Sequence, residues 1–273
     1  MARPYIEFVQ CQNIDWEELD DGTQVKRLNV DPVDGEETLL LRYPAGFERV
    51  GGGAEPQADE YFVLDGEVRI GARSCGYHAY GFVPRGAARE ARSSKGGATL
   101  LVFRHGRTDP NSVDGVAESI ALDAPAMPWD VSTYDPKLTH LRLARKILRL
   151  GPNDSCRTFL LAGMPHGVPP VDRLPAETHD HCEEMFMLAG EMWAPEGRMR
   201  QGAYFFRPPG IVHGPHVSES GFFQIMRSPG VNAIKTKWAD TPSPLPIGAP
   251  YAPVMPEGTP ESWRREWTGE APY

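Results

Sequence analysis

The chain has 273 residues, 40% hydrophobic, 24% charged and 10% aromatic, enough for one large domain or two of ordinary size. Its 28 glycines and 27 prolines fall short of a low-complexity sequence but are heavy for a helical one. A net charge of -9 excludes a general basic field for nucleic acid or anionic membrane, and no apolar run approaches the roughly 20 residues of a membrane span.

The first ten residues hold no continuous apolar stretch, so no signal peptide is expected and a cytoplasmic location follows. Cys11, Cys75, Cys156 and Cys182 lie far apart and form no CxxC pair. They read as reduced thiols, not as a disulfide frame or a zinc knuckle.

Next the chain repeats itself. Lys26-Arg27-Leu28-Asn29-Val30 is followed by Thr38-Leu39-Leu40-Leu41, and Lys146-Ile147-Leu148-Arg149-Leu150 by Thr158-Phe159-Leu160-Leu161. Asp59 to Glu67 is mirrored by Glu183 to Glu191, and Tyr80-Gly81-Phe82-Val83-Pro84 by Tyr204-Phe205-Phe206-Arg207-Pro208. The order is the same in both copies, which marks a tandem duplication. Each copy consists of short β-branched and aromatic runs ending at Gly/Pro punctuation, the pattern of a sandwich or barrel. Leu138 to Leu150 could pass for a basic amphipathic helix, but its repeat partner around Leu28 looks extended, so a strand is expected. Residues 107–125 are polar, lack periodicity and read as the linker. Seven prolines between Thr241 and Pro260 mark a tail that cannot join a ladder throughout. Its Trp263, Trp267 and Tyr273 suggest that it packs along a barrel surface. The expected division is 1–115, 116–237 and a tail of 238–273.

The chemistry falls in the second copy. In an extended strand Glu177, His179, His181 and Glu183 share one face. Four ionisable groups on one face are costly to bury without compensation, and a divalent metal supplies it for imidazole and carboxylate ligands. The alternative is a solvated polar strand. Gly202 to His213 then has the form Gly-x5-Pro-x-Gly-x2-His, in which a Pro/Gly turn returns His213 to the interior.

These two elements resemble the two cupin signatures, the second closely and the first with departures. Counting back from Gly190 selects Glu183 as the acid and His179 as the motif's second histidine, with Glu177 in the place of the first. The other register uses His179 and His181 with Glu184. His179, Glu183 and His213 are therefore the expected ligands, with Glu177 or His181 as a fourth. In the first copy the corresponding positions hold Glu55, Asp59 and Arg89, so that barrel is expected to be metal-free, with Arg89 and Arg85 offering a pocket for an anionic group.

The resemblance implies an all-β bicupin, two tandem jelly-roll barrels carrying one divalent transition metal per chain (Fe, Mn, Ni or Zn). A group of bacterial bicupins resembles the chain at Glu183-Glu184, Arg207-Pro208-Pro209 and His213-Gly214-Pro215. The first copy, around Tyr80 to Gly86, is similar to ureidoglycine aminohydrolase bicupins, in which one barrel is empty and the other holds manganese. The implied function is a metal-dependent enzyme on a small polar organic substrate, an oxygenase by preference. Redox-neutral aminohydrolase or isomerase chemistry and a non-catalytic sensor are the alternatives. Arg207 is a candidate substrate clamp or else a surface salt bridge, His216 a candidate acid-base group, and Gln224 a candidate pocket residue. Met185, Met187, Phe206, Phe222 and Phe223 are expected as apolar walls or ordinary core. No nucleic-acid or membrane partner is expected, and pairing into a homodimer is open.

Overall fold

The computed structural model describes residues 3–107, 118–132, 135–151, 156–165, 167–229 and 235–273. Nearly every regular element is a strand, and no helix is long and apolar enough to cross a membrane. The contacts divide the chain into two units, Met1–Arg3 with Asp15–Met127, and Pro4–Ile14 with Pro128–Tyr273.

The first unit holds a seven-stranded sheet and a four-stranded sheet. The larger runs in the spatial order Ile120–Asp123, Ala79–Val83, Asp59–Gly66, Ala98–Arg104, Glu37–Tyr43, Gln24–Val30, Glu17–Glu18. The smaller contains Phe47–Arg49, Arg92–Ser94, Val68–Ile70 and Arg73–Cys75. Alternate residues of these strands, among them Val25, Leu39, Tyr61, Val63, Leu100 and Val102, form its core. Each such side chain contributes about 1.5–3 kcal/mol when fully buried.

The second unit repeats the plan. Its main sheet runs Ile6–Gln10, Ala203–Arg207, Glu183–Ala194, Phe222–Ser228, Arg157–Gly163, Leu143–Leu150. Phe8, Met185, Met187, Phe205 and Met226 pack in its core. The duplication extends to backbone detail. Leu64 and Leu188 are skipped in the pairing with the neighbouring strand, and the glycines two residues on, Gly66 and Gly190, have φ of 72° and 75°. A Cβ on Gly190 would meet the Gly221 carbonyl oxygen at 2.2 Å, so the repeated glycine is required by this close approach.

Three expectations change. The strand that precedes each repeat completes the barrel of the other: Ile6–Gln10 pairs with Ala203–Arg207, and Ile120–Asp123 with Ala79–Val83. Residues 4–14 therefore leave the first unit, and the expected linker 107–125 ends in a strand. Its residues 108–117, with the expected cut after residue 115, lie outside the described residues. An edge strand with an open row of backbone groups gains a full ladder in this way.

The tail from residue 238 is likewise part of the second unit and not a separate region. Ser243–Pro244 pairs with Arg173–Leu174, Val254 bridges Glu7, and the Tyr251 ring meets Phe8 at 5.3 Å. Finally, the strand expected over 138–150 begins only at Leu143. Pro136–Leu141 is a 3-10 turn capped by the Asp135 side chain, and it ends where Arg142 takes a left-handed conformation with φ of 47°.

Candidate metal centre

Glu177–His179 is a short strand paired with Thr236–Trp238, and its outer edge carries a single bridge to His213. The Glu177 N–H donates to the His213 carbonyl at 2.9 Å and the His213 N–H to the Glu177 carbonyl at 3.0 Å. The turn that makes this return runs through Pro208-Pro209-Gly210, with Gly210 at φ of 84° and its N–H donating to the His179 carbonyl. Glu183 opens the long strand Glu183–Ala194. Extended structure does not continue through residues 180–182, so the common face expected of one strand is divided between two.

Ligand atoms of Glu177, His179 and His213 all lie within 4.8 Å of one another. Glu183 lies outside that mutually close set but beside both histidines: one of its oxygens is 3.7 Å from His179 Nε2 and the other 3.4 Å from His213 Nε2. Backbone carbonyls fix the tautomers. His179 Nδ1 lies 3.1 Å from the Lys235 carbonyl and His213 Nδ1 lies 3.0 Å from that of Ile211. A carbonyl only accepts, so in the neutral ring each Nδ1 carries the proton and each Nε2 presents a lone pair.

His213 Nε2 is buried and has no hydrogen-bond partner. Two bare imidazole nitrogens thus face two carboxylates, an arrangement of acceptors that needs a cation. The charge states agree. Burial, then Arg207, pulls His213 down to about 2, which keeps the ring neutral and able to ligate. Burial pushes the Glu183 carboxyl up, but His213, Arg207 and His179 outweigh it and hold the group well below the usual carboxylate range. The residues fit a divalent metal bound by imidazole and carboxylate.

His181 is buried next to this group, its ring 4.6 Å from that of His179, but its ligand atoms are not among the mutually close set. Burial and then His179 lower it to about 4. Of the two candidates for a fourth ligand, the geometry brings in Glu177. Glu184, the acid of the other register, points elsewhere: it is fully buried and accepts from Tyr204 Oη at 2.6 Å and from Arg227 Nη1 at 3.2 Å.

Arg207 is not a surface salt bridge; it lines the cavity with most of its donors already engaged. It is 2% exposed, pairs through Nε and Nη2 with Glu7, and donates from Nη1 to Glu183 at 2.6 Å. His216 Nε2 lies 3.3 Å from Arg207 Nη2 and accepts from it, which leaves the proton on Nδ1, 3.6 Å from Glu177 Oε1. Glu7 escapes sequence reasoning altogether, because nothing local connects it to a residue so far along the chain.

A cavity of about 200 Å³ adjoins the group, lined by Glu177, His179, His181, Glu183, Arg207, His216 and Gln224 on its polar side. Gln224 Oε1 is buried without a partner. Phe159, Leu161, Leu143, Phe222 and Met226 form apolar walls, with Arg145 and Arg157 beside them. Of the expected apolar residues only Phe222 lines the cavity. Phe159 and Leu161 were missed, although alternation marks them: Arg157, Phe159 and Leu161 share one face and pair with Ser228, Met226 and Gln224.

In the first unit the corresponding position is closed by protein charge. Arg89 Nη2 lies 3.3 Å from Asp59 and donates to the Gln57 carbonyl. Arg85 is exposed and donates to the Arg107 carbonyl, so it does not share a pocket with Arg89 as expected.

Among solved structures the chain is similar to a candidate dioxygenase from Nostoc punctiforme (TM-score 0.69, 16% identity, 86% of this chain and 91% of that one). It is also similar to a candidate glyoxylate-induced protein from Pseudomonas aeruginosa (TM-score 0.61, 15% identity, 88% and 91%). A third is the oxalate decarboxylase formate complex of Lactobacillus farciminis (TM-score 0.54, 8% identity, 85% and 88%). At these identities the likeness is one of fold. No curated protein matches the chain. The profile of the ChrR cupin-like domain matches residues 6–108 and again 121–230, so the chain belongs to this cupin family through both of its repeats.

Proposed function

We propose that the protein is a metal-dependent bicupin enzyme whose second barrel holds one divalent transition metal (Fe, Mn, Ni or Zn) through His179, His213, Glu177 and Glu183, and that it is an oxygenase. The observation that carries this reading is the unpartnered Nε2 of His213, facing the carboxylates of Glu177 and Glu183, two residues that also line the neighbouring cavity. When bound, such a metal supplies a Lewis-acid position at which substrate oxygens are polarised and oriented.

The chain's own residues do the rest. Arg207, locked by Glu7, holds Glu183 in place. His216 keeps a proton on Nδ1 beside Glu177 Oε1, where it can be exchanged with a bound ligand. Gln224 offers an unsatisfied carbonyl oxygen to a substrate hydroxyl or amide. Phe159, Leu161 and Phe222 exclude water and suit an apolar body, so the substrate combines two chelating oxygens with a hydrocarbon part. The fold of the Nostoc candidate dioxygenase supports the oxygenase reading.

Metal analysis of anaerobically purified protein, followed by oxygen uptake with β-diketones, hydroxy acids and phenols, tests this. One metal per chain and uptake abolished by His213→Ala are expected. Turnover that proceeds without oxygen would replace the oxygenase with a redox-neutral enzyme, and full metal content in His213→Ala would end the ligand assignment.

A further inference from the structure

The first barrel has lost its metal position but not its interior. A cavity of about 380 Å³ opens there, and four arginines line it: Arg49, Arg89, Arg92 and Arg104. Guanidinium groups gathered in one concavity repel one another, and the chain as a whole is acidic, so this concentration runs against its average charge. Arg92 and Arg49 are direct cross-strand partners, a like-charge pairing that destabilises a sheet unless something sits between the charges.

Three of the four have carboxylate partners, Arg104 through Nη1 with Glu37 as well as with Asp59, and Arg92 is, among the described residues, the member left without one. Asp59 is shared: Oδ2 pairs with Arg89 at 3.3 Å and Oδ1 accepts from Arg104 Nε at 3.4 Å. Arg49 uses Asp21, outside the cavity, and Glu90 at the rim is taken by Arg73. Glu55 is exposed.

Arg92 has no carboxylate within ion-pair distance among the described residues. Its hydrogen bond runs from Nη1 to the neutral Tyr43 Oη at 3.0 Å, with the Tyr61 ring 5.9 Å away. A guanidinium carries five N–H donors in a planar fork, and Arg92 lines the cavity with one of them given to Tyr43.

We propose that the first barrel binds a small oxyanion, a carboxylate or a phosphate, held by the fork of Arg92 with Arg89 and Arg104 beside it. The barrel that gave up the cation would then act as an anion-binding module, independent of the chemistry of the second barrel. Bidentate guanidinium contacts to carboxylate or phosphate are the strong form of such recognition.

The experiment uses the full chain carrying His213→Ala, so that a metal-held anion in the second barrel does not contribute. Thermal unfolding and calorimetric titration are followed with succinate, oxalate, citrate and inorganic phosphate. A rise of about 2–4 °C in unfolding temperature near saturation is expected with carboxylates, with phosphate, or with both. The response identifies which oxyanion the site takes. Arg92→Met should weaken binding at least about tenfold, and Arg104→Gln should weaken it as well. Should Arg92→Met fail to fold, Arg92→Lys, which keeps the charge but loses the fork, must also lower the affinity. Tyr43→Phe should retain binding, because the guanidinium remains. No response to any of the four anions, or a response unchanged by Arg92→Met or Arg92→Lys, overturns the proposal.

Discussion

The Arg89 guanidinium lies 3.3 Å from the Asp59 carboxylate, and these two residues stand where the second repeat has His213 and Glu183. In one copy the arginine stands where the other has a histidine, so the half-buried acid meets a guanidinium there, while Glu183, itself paired with Arg207, meets the unprotonated imidazole nitrogens of His179 and His213. Metal content should therefore be one equivalent per chain. It should be unaffected by Arg89→Ala and lost with His213→Ala. Elemental analysis of the three proteins checks this, and two equivalents in the parent would contradict it.

Glu183 and Glu184 are neighbours with opposite fates. Glu184 accepts from Tyr204 and Arg227 in the interior, just as Glu60 accepts from Tyr80 Oη at 2.7 Å in the first unit. Glu183→Gln should cost metal affinity and, by breaking the buried pair with Arg207, stability as well, whereas Tyr204→Phe should cost stability alone. Removing the buried phenol leaves Glu184 short of a donor and should destabilise by about 1–3 kcal/mol, with metal content unchanged. Denaturant unfolding and metal titration on both variants separate the two roles.

Much of this was legible in the chain. The duplication, the second signature and the arginine at the first copy's lost histidine all lie in short strings with fixed spacing. His179, Glu183 and His213 follow from them. What was hidden is long-range. Glu7 reaches Arg207 only because the first strand completes the second barrel, an exchange with no local signature. The start of the strand at Leu143 depends on one left-handed residue, Arg142, whose backbone no side-chain pattern announces. His181 shares parity with His179 and Glu183, but the chain bends at residues 180–182, and parity carries no further than the strand does.

Glu7→Gln follows from the same exchange. Arg207 is held above its ordinary range: burial opposes its charge, but Glu7, first, and Glu183 outweigh this. Without the Glu7 charge the guanidinium keeps one carboxylate in a dry setting, and breaking a buried pair costs about 3–5 kcal/mol. Glu183 would also lose the anchored donor that aims it, and such supporting contacts are worth about 10–100-fold in metal affinity. Both losses should appear together, in chemical unfolding and in metal titration. A drop in stability with unchanged affinity would show that Arg207 does not position the ligand.

The cavity wall offers a test of where substrate sits. Gln224 Oε1 is buried and unsatisfied, and its Nε2 meets only the Met226 sulfur at 3.3 Å. Gln224→Leu removes an unpaired polar atom from an apolar wall, so the variant should be at least as stable as the parent in unfolding. Metal content should not change, because no ligand contacts this side chain. If the carbonyl oxygen receives a substrate donor, however, KM should rise by about tenfold, the worth of one hydrogen bond of roughly 1.4 kcal/mol. Steady-state kinetics beside a metal assay tell the cases apart. An unchanged KM would place the substrate away from Gln224, toward Arg145 and Arg157, while lost metal would mean that the wall supports the ligands themselves.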